Sequence, residues 1–493
     1  MIRDNLRACA TQPKPKNRLG RGFLVWLLLT VNQAVAAPHA LSKPEFALYV
    51  PSMSALSTLE PALRRAGEHA SLLRPQAWSP ELHPFLNFNL FAPDALSAQG
   101  VDVKGSFTLS RRKDLSLSCV GLTSLTAFEA AARPQLSTLG TLWKKKVAGL
   151  SRQGAKDVLG RDLAGFVTDG KTACAVQGQG GVVEQDFVDA ARALKTNASG
   201  GGFALAGAVK GALFFVAPSG VVAVSANSGD ALLFEGAAVN VPSATWVASP
   251  SHPFGAGAPR DALASTVGTV AEADLPRVLT SLEPALRGTL SADAAKAFHQ
   301  ALATLGPSLS GQVAFGATRL EPSGPLRTRA GQFFAVRMVA FANVKDVALA
   351  RTVLGTLAQS TNAKSAGEGF ELQVAAGKLF FGLDGTRAYF ANDAAALAVL
   401  RKAPFTTAPV NAGLRGRVRL GLVAEGLSRI PLLEAVTAPE LAGLLAAATE
   451  LGPLLEHSDD LAFDVDTPAP GSLRFRARWN FKSAAVPVLD GGS

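Results

Sequence analysis

With 493 residues, 48% of them hydrophobic and 17% charged, the composition excludes a disordered chain and is sufficient for two or three cores. The formal net charge of +10 is uneven: residues 1–36 hold six of the 48 Lys and Arg but one of the 38 Asp and Glu. The other 457 residues carry 42 cations and 37 anions, a mild excess that gives no basis for nucleic-acid binding.

The N-terminus reads as an export signal. Arg3, Arg7, Lys14, Lys16, Arg18 and Arg21 precede the apolar run FLVWLLLTV (Phe23 to Val31), and Ala34-Val35-Ala36 places small residues at a cleavage site before Ala37. Signal 1–36 is expected to direct export to the bacterial periplasm or beyond and to be cleaved there, with an uncleaved anchor as the alternative. No later stretch approaches the roughly 18 uninterrupted apolar residues of a membrane span, so no transmembrane segment is expected after cleavage. Cys9 falls in the discarded segment. Cys119 and Cys174 lie in strand-like LSLSCVGL and TACAV, and an oxidising compartment predicts one disulfide between them.

Internal matches organise the remainder. LEPALR occurs at 59 and 282, LGTL at 139 and 354, TNA at 196 and 361, GF at 202 and 369, and LFF at 213 and 379. Five matches in one order predict a duplication. LEPALR is expected to start a helix, with Ser57 and Glu60 at capping-box spacing and Pro61 in the first turn. DAAKAFHQALATLG spaces Ala294, Phe298, Ala301, Leu302 and Leu305 on one helical face. LFFVAPSGVVAVSAN and LFFGLDGTRAYFAN read as hairpins around glycine-containing turns.

On these anchors, residues 37–248 form a first α+β repeat with an extra hairpin-helix segment at about 143–194. A linker at 249–262 leads to a second repeat at 263–403. A linker at 404–413 leads to a partial third repeat at 414–482, followed by a tail at 483–493. The expected fold class is α+β: tandem repeated modules of antiparallel sheet packed against helices.

Chemistry is sparse by comparison. The six histidines form no local motif such as HExxH, and two cysteines cannot build a structural zinc site alone, so neither metal nor cofactor is expected. GxSxG is absent. Ser110 with Lys113 lies in a charged turn, and GQGG (Gly178 to Gly181) joins two strands without the helix start of a phosphate cradle. Asp459, Asp460, Asp464 and Asp466 offer carboxylates for calcium, yet strand alternation sets Asp460, Asp464 and Asp466 opposite Arg474, Arg476 and Arg478 in a hairpin through TPAPGS.

LRGRVRL adds Arg415, Arg417 and Arg419 at alternate positions. If it joins that hairpin, six arginines meet three aspartates on one face. Such a face suits an anionic glycan, lipid head groups or an acidic envelope protein. Trp143 followed by Lys144, Lys145 and Lys146 marks a second candidate surface. FALYVPS and the LFF…AN pattern with its following Ala/Leu helix resemble a family of bacterial secreted proteins defined only as a domain of unknown function. That resemblance implies export and a repeated α+β layout, and transfers no site residues. The expectation is a non-catalytic exported binding or scaffold protein; the alternatives are an enzyme assembled from distant segments, or a lipid carrier with a deep apolar groove.

Overall fold

The computed structural model describes residues 46–482, apart from 70–81, 87, 113–114, 179, 198–208, 218–219, 228–230, 240–243, 256–261, 276–277, 279–291, 323–333, 375–376, 403–406, 429–448 and 450. The expected signal, the second LEPALR and the tail lie outside the described residues.

Period-two alternation of apolar and polar side chains makes strands, and most of the described chain follows it. The first strands are β1 (Phe46–Val50), β2 (Phe107–Arg112) and β3 (Leu115–Gly121). Helices α1 (Glu60–His69) and α2 (Pro93–Ala98) lie between β1 and β2. Ser57 does not cap α1: it sits in a 3-10 turn (Met53–Thr58), where its hydroxyl donates to the Ser54 carbonyl at 2.8 Å.

Helix α3 (Leu125–Leu139) starts at Ser124, whose side chain accepts from the Ala127 amide. It leads into β4 (Thr141–Val147), β5 (Leu150–Lys156), β6 (Asp162–Thr168) and β7 (Thr172–Gly178). Then come α4 (Glu184–Asn197), β8 (Leu213–Ala217), β9 (Gly220–Asn227) and β10 (Ala231–Val239).

Past a short strand, β11 (Ser249–His252), the chain continues through β12 (Ala264–Thr269), α5 (Ala292–Leu305), β13 (Leu309–Pro322) and β14 (Phe334–Val344). Helix α6 (Val347–Ser360) is capped by Asp346, which accepts from the Leu349 amide at 2.9 Å. Strands β15 (Lys364–Ala366), β16 (Gly369–Val374), β17 (Gly377–Asp384) and β18 (Arg387–Ala391) follow, then α7 (Ala394–Lys402). The last elements are β19 (Ala408–Val410), β20 (Leu414–Arg419), α8 (Leu420–Ser428), β21 (Ser458–Asp466) and β22 (Ser472–Phe481).

Among the described residues, twenty strands pair into one antiparallel sheet. From one edge the order is β4, β5, β6, β7, β3, β2, β1, β8, β9 and β10; from the other it is β15, β16, β17, β18, β14, β13, β12, β20, β21 and β22. The two series meet where β10 pairs with β22. Strand for strand, the order from each edge is the same in topology. Helix α3 after β3 has its counterpart in α6 after β14, and α4 after β7 has its counterpart in α7 after β18.

This layout places the sequence segments differently from the anchor-based division. Residues 143–194, read as extra to one copy, hold most of β4, all of β5 to β7 and most of α4, whose positions β15 to β18 and α7 occupy on the other side. Residues 414–482, read as a partial third copy, hold β20 to β22, opposite numbers of β8 to β10. The LFF runs lie in β8 and β17, which are not counterparts, because a buried hairpin strand leaves the same short apolar signature anywhere in the sheet. The two expected linkers supply β11 and β19, which pair with each other.

Helices cover both faces. On one, Phe128 of α3 meets the Phe166 ring edge-on with centroids 5.1 Å apart. On the other, α4 lays Phe187 over Gly165, where an added Cβ would come within 2.8 Å of the ring. The Cys119–Cys174 disulfide joins directly opposed residues of β3 and β7 inside this second core.

Candidate functional site

The arginine face is built by β20, β21 and β22. Register sets Arg415 opposite Asp464, Arg417 opposite Ala462 and Arg419 opposite Asp460. Across the next ladder Arg478 lies opposite Ala462, Arg476 opposite Asp464 and Arg474 opposite Asp466. Because opposed residues share a face, all six arginines project to one side.

The other side is apolar: Phe463, Val465, Phe475 and Ala477 form one cluster. Its flat rings need room. Phe463 lies over Gly416 and Phe475 over Gly236, so tightly that a Cβ at either glycine would fall within 2.2 Å of a ring carbon.

Ion pairing cuts across the expected hairpin. Arg415 Nε donates to Asp464 Oδ1 at 2.9 Å, and Arg417 Nε donates to Asp460. Arg474 instead donates to Glu235 of β10, with Arg476 Nε 3.8 Å from the same carboxylate oxygen. Arg478 donates to Asn480 Oδ1 at 2.7 Å.

Glu235 is the residue sequence reading missed. It brings the acids on this face to four, so six arginines leave an excess of two rather than three. Burial pushes the Glu235 carboxyl up. The Arg474 hydrogen bond, the Lys210 amide and the charges of Arg474 and Arg476 outweigh burial and hold it below the usual carboxylate range. Its only sequence signal is a lone charge in the apolar strand ALLFEGAAV.

The strip lies between two covered regions of the same sheet face. On the β12 side, Val267, opposite Arg415, is buried with Phe254, Leu400 and Val410. On the β9 side, Ala223, opposite Glu235, is buried with Val209, Phe214 and Val216. Between them the arginine side chains stay open, from 39% exposed at Arg417 to 59% at Arg476. A planar guanidinium row of this kind presents forked donors to carboxylate or phosphate.

Trp143 and its lysines lie at the far edge, on β4. Lys144 Nζ is 2.9 Å from Glu129, while Lys145 lies 5.2 Å from the Trp143 ring centre and 3.8 Å from Glu184. Glu184 also accepts from the buried Arg152, which holds its carboxyl below the usual range.

Elsewhere the fold stacks His69 on His457, centroids 3.6 Å apart, residues no local motif connects. Among the described residues no three or more His, Cys, Asp or Glu side chains gather as a metal site. No described helix is long and apolar enough to cross a membrane.

No family model matches the chain, and no curated protein does. Among solved structures, crystal form I of TP0453 is similar at 8% identity, covering 74% of this chain and 96% of that one with a TM-score of 0.19. Such a score assigns neither fold nor function.

Proposed function

We propose that this chain is an exported, non-catalytic protein of the bacterial envelope, periplasmic or secreted, acting as a binding or scaffold module. Its arginine face takes a ligand bearing carboxylates or phosphates: an anionic glycan, lipid head groups or an acidic envelope protein. The observation that carries this reading is the exposed row Arg415, Arg417, Arg474 and Arg476, on a face where six arginines exceed four acids. The signal-like N-terminus supports export, and the Cys119–Cys174 disulfide fits an oxidising compartment.

We also infer an internal duplication of ten-stranded units, residues 46–239 and 264–481, whose last strands form the joint. The matching strand orders from the two edges support it, as does Ser124 and Asp346 each capping the helix after the third strand of its unit.

Retention on polygalacturonate and dextran sulfate columns tests the binding reading. Replacing Arg415, Arg417, Arg474 and Arg476 with glutamine should lower the salt needed for elution, whereas Asp464→Asn, which frees a guanidinium, should raise it. Unchanged elution in both variants would refute it.

A further inference from the structure

We propose that one corner of the sheet, the β5–β6 hairpin tip with the adjoining β4 edge, docks on a bilayer containing anionic phospholipid. The proposal does not depend on the arginine face, which lies at the centre of the sheet.

The hairpin tip reads Asp157-Val158-Leu159-Gly160-Arg161. Val158 is 101% and Leu159 75% exposed, the two highest values among the exposed large hydrophobic residues described. An adjacent aliphatic pair left largely in water at a hairpin tip has no role in the core. Nor is the tip a slack loop. Asp157 Oδ1 accepts from the amides of Leu159 and Arg161, both at 2.9 Å, and Oδ2 accepts from Arg161 Nε at 2.8 Å. Gly160 supplies the left-handed residue, φ +78°, that closes the turn. A pinned turn presents both side chains outward before any partner arrives, which lowers the entropy lost on binding.

Other apolar surface adjoins the tip. Leu142, opposite Ala155, is 38% exposed. Exposed Val183 is drawn to the same corner by the bond from the Val182 amide to the Asp162 carbonyl at 2.7 Å.

The charge along the adjoining β4 edge identifies the occupant. Beside the tip Lys156 and Arg161 are balanced by Asp157 and Asp162, and the excess comes from the exposed Lys144, Lys145 and Lys146, which follow along β4 toward the β4–β5 turn. Glu129 and Glu184 neutralise part of this excess from neighbouring helices. The two lysine pairs, Lys144–Glu129 and Lys145–Glu184, are surface pairs, which are weak and exchange readily with other anions. Exposed lysines along an edge strand oppose pairing with another strand, which disfavours a peptide added to the sheet. A surface that is anionic outside and apolar within accepts both features: aliphatic side chains enter it, and lysine stems lie along it with their ammonium groups at the phosphates.

The test is co-sedimentation of the full chain with vesicles of phosphatidylglycerol and phosphatidylcholine in equal parts, and of phosphatidylcholine alone. Binding should need phosphatidylglycerol, weaken with added salt, and fall at least about tenfold for the double variant Val158→Asn, Leu159→Asn. Both side chains are highly exposed, so little change in melting temperature should accompany the loss. Leu159→Trp should show a blue-shifted emission with the mixed vesicles only. Equal binding to both vesicles, unaltered binding of the double variant, or no shift in Leu159→Trp would overturn the proposal. Loss on replacing Arg415 and Arg417 with no loss at the tip would also overturn it, and would place lipid on the arginine face instead.

Discussion

His83 lies inside a cage of rings, its own ring centre 5.5 Å from Phe88 and 5.9 Å from Phe85. Its Nδ1 accepts from the Phe85 amide at 3.2 Å, so the proton resides on Nε2, which has no hydrogen-bond partner among the described residues. Burial pushes its pKa down to about 3, while the unfolded chain titrates near 6.5. Below pH 6.5 the unfolded state therefore binds a proton that the native state refuses. The stability contributed by neutral His83 is complete above that pH and declines by about 1.4 kcal/mol per unit as pH falls toward 3. Denaturant titrations should show about 2 kcal/mol lost between pH 7 and pH 5 from this group. His83→Phe should flatten that slope. His252, buried against the Gly268 carbonyl, is shifted in the same direction and will leave a residual slope.

At the scale of elements, the disulfide joins β3 to β7 across 55 residues that include α3, β4, β5 and β6. A loop of that length implies about 4 kcal/mol of chain-entropy stabilisation. Cys119→Ser with Cys174→Ser should lower stability by an amount of that order, measured by chemical denaturation without reductant. The pair was legible in the sequence, because Cys119 and Cys174 both lie in strand-like runs and are the two cysteines beyond the N-terminal Cys9. The β21–β22 hairpin was legible for a similar reason: DLAFDVD and LRFRARWNF alternate strictly, and the turn between them is rich in proline and glycine. Glu235 was not. Its partner strand lies at the other end of the chain, and alternation reports which face a residue takes without reporting whose neighbour it becomes.

For the whole molecule, the joint of β10 with β22 is what makes one sheet of two series of strands. Truncation after Asp466 would leave β10 and β21 each with an unpaired edge and would uncover Gly236, over which Phe475 packs. Such a chain should aggregate in size-exclusion chromatography and melt at a lower temperature than the intact protein in calorimetry. The α+β class was legible from hairpins alternating with Ala/Leu helices. Spatial order was not, because anchors such as LFF record burial in a strand, and buried strands recur throughout the sheet.

The Arg474–Glu235 contact spans 239 residues. At roughly 5–20 residues per second, synthesis needs about 10 to 50 s to traverse that interval. Throughout that delay β10 is complete and its final neighbour does not yet exist. The arrangement that closes the native sheet is then also the one that two immature chains can use on each other, one open β10 against another. Folding yield should accordingly fall with the rate of production, and a binder that occupies the β10 edge during that interval should restore it.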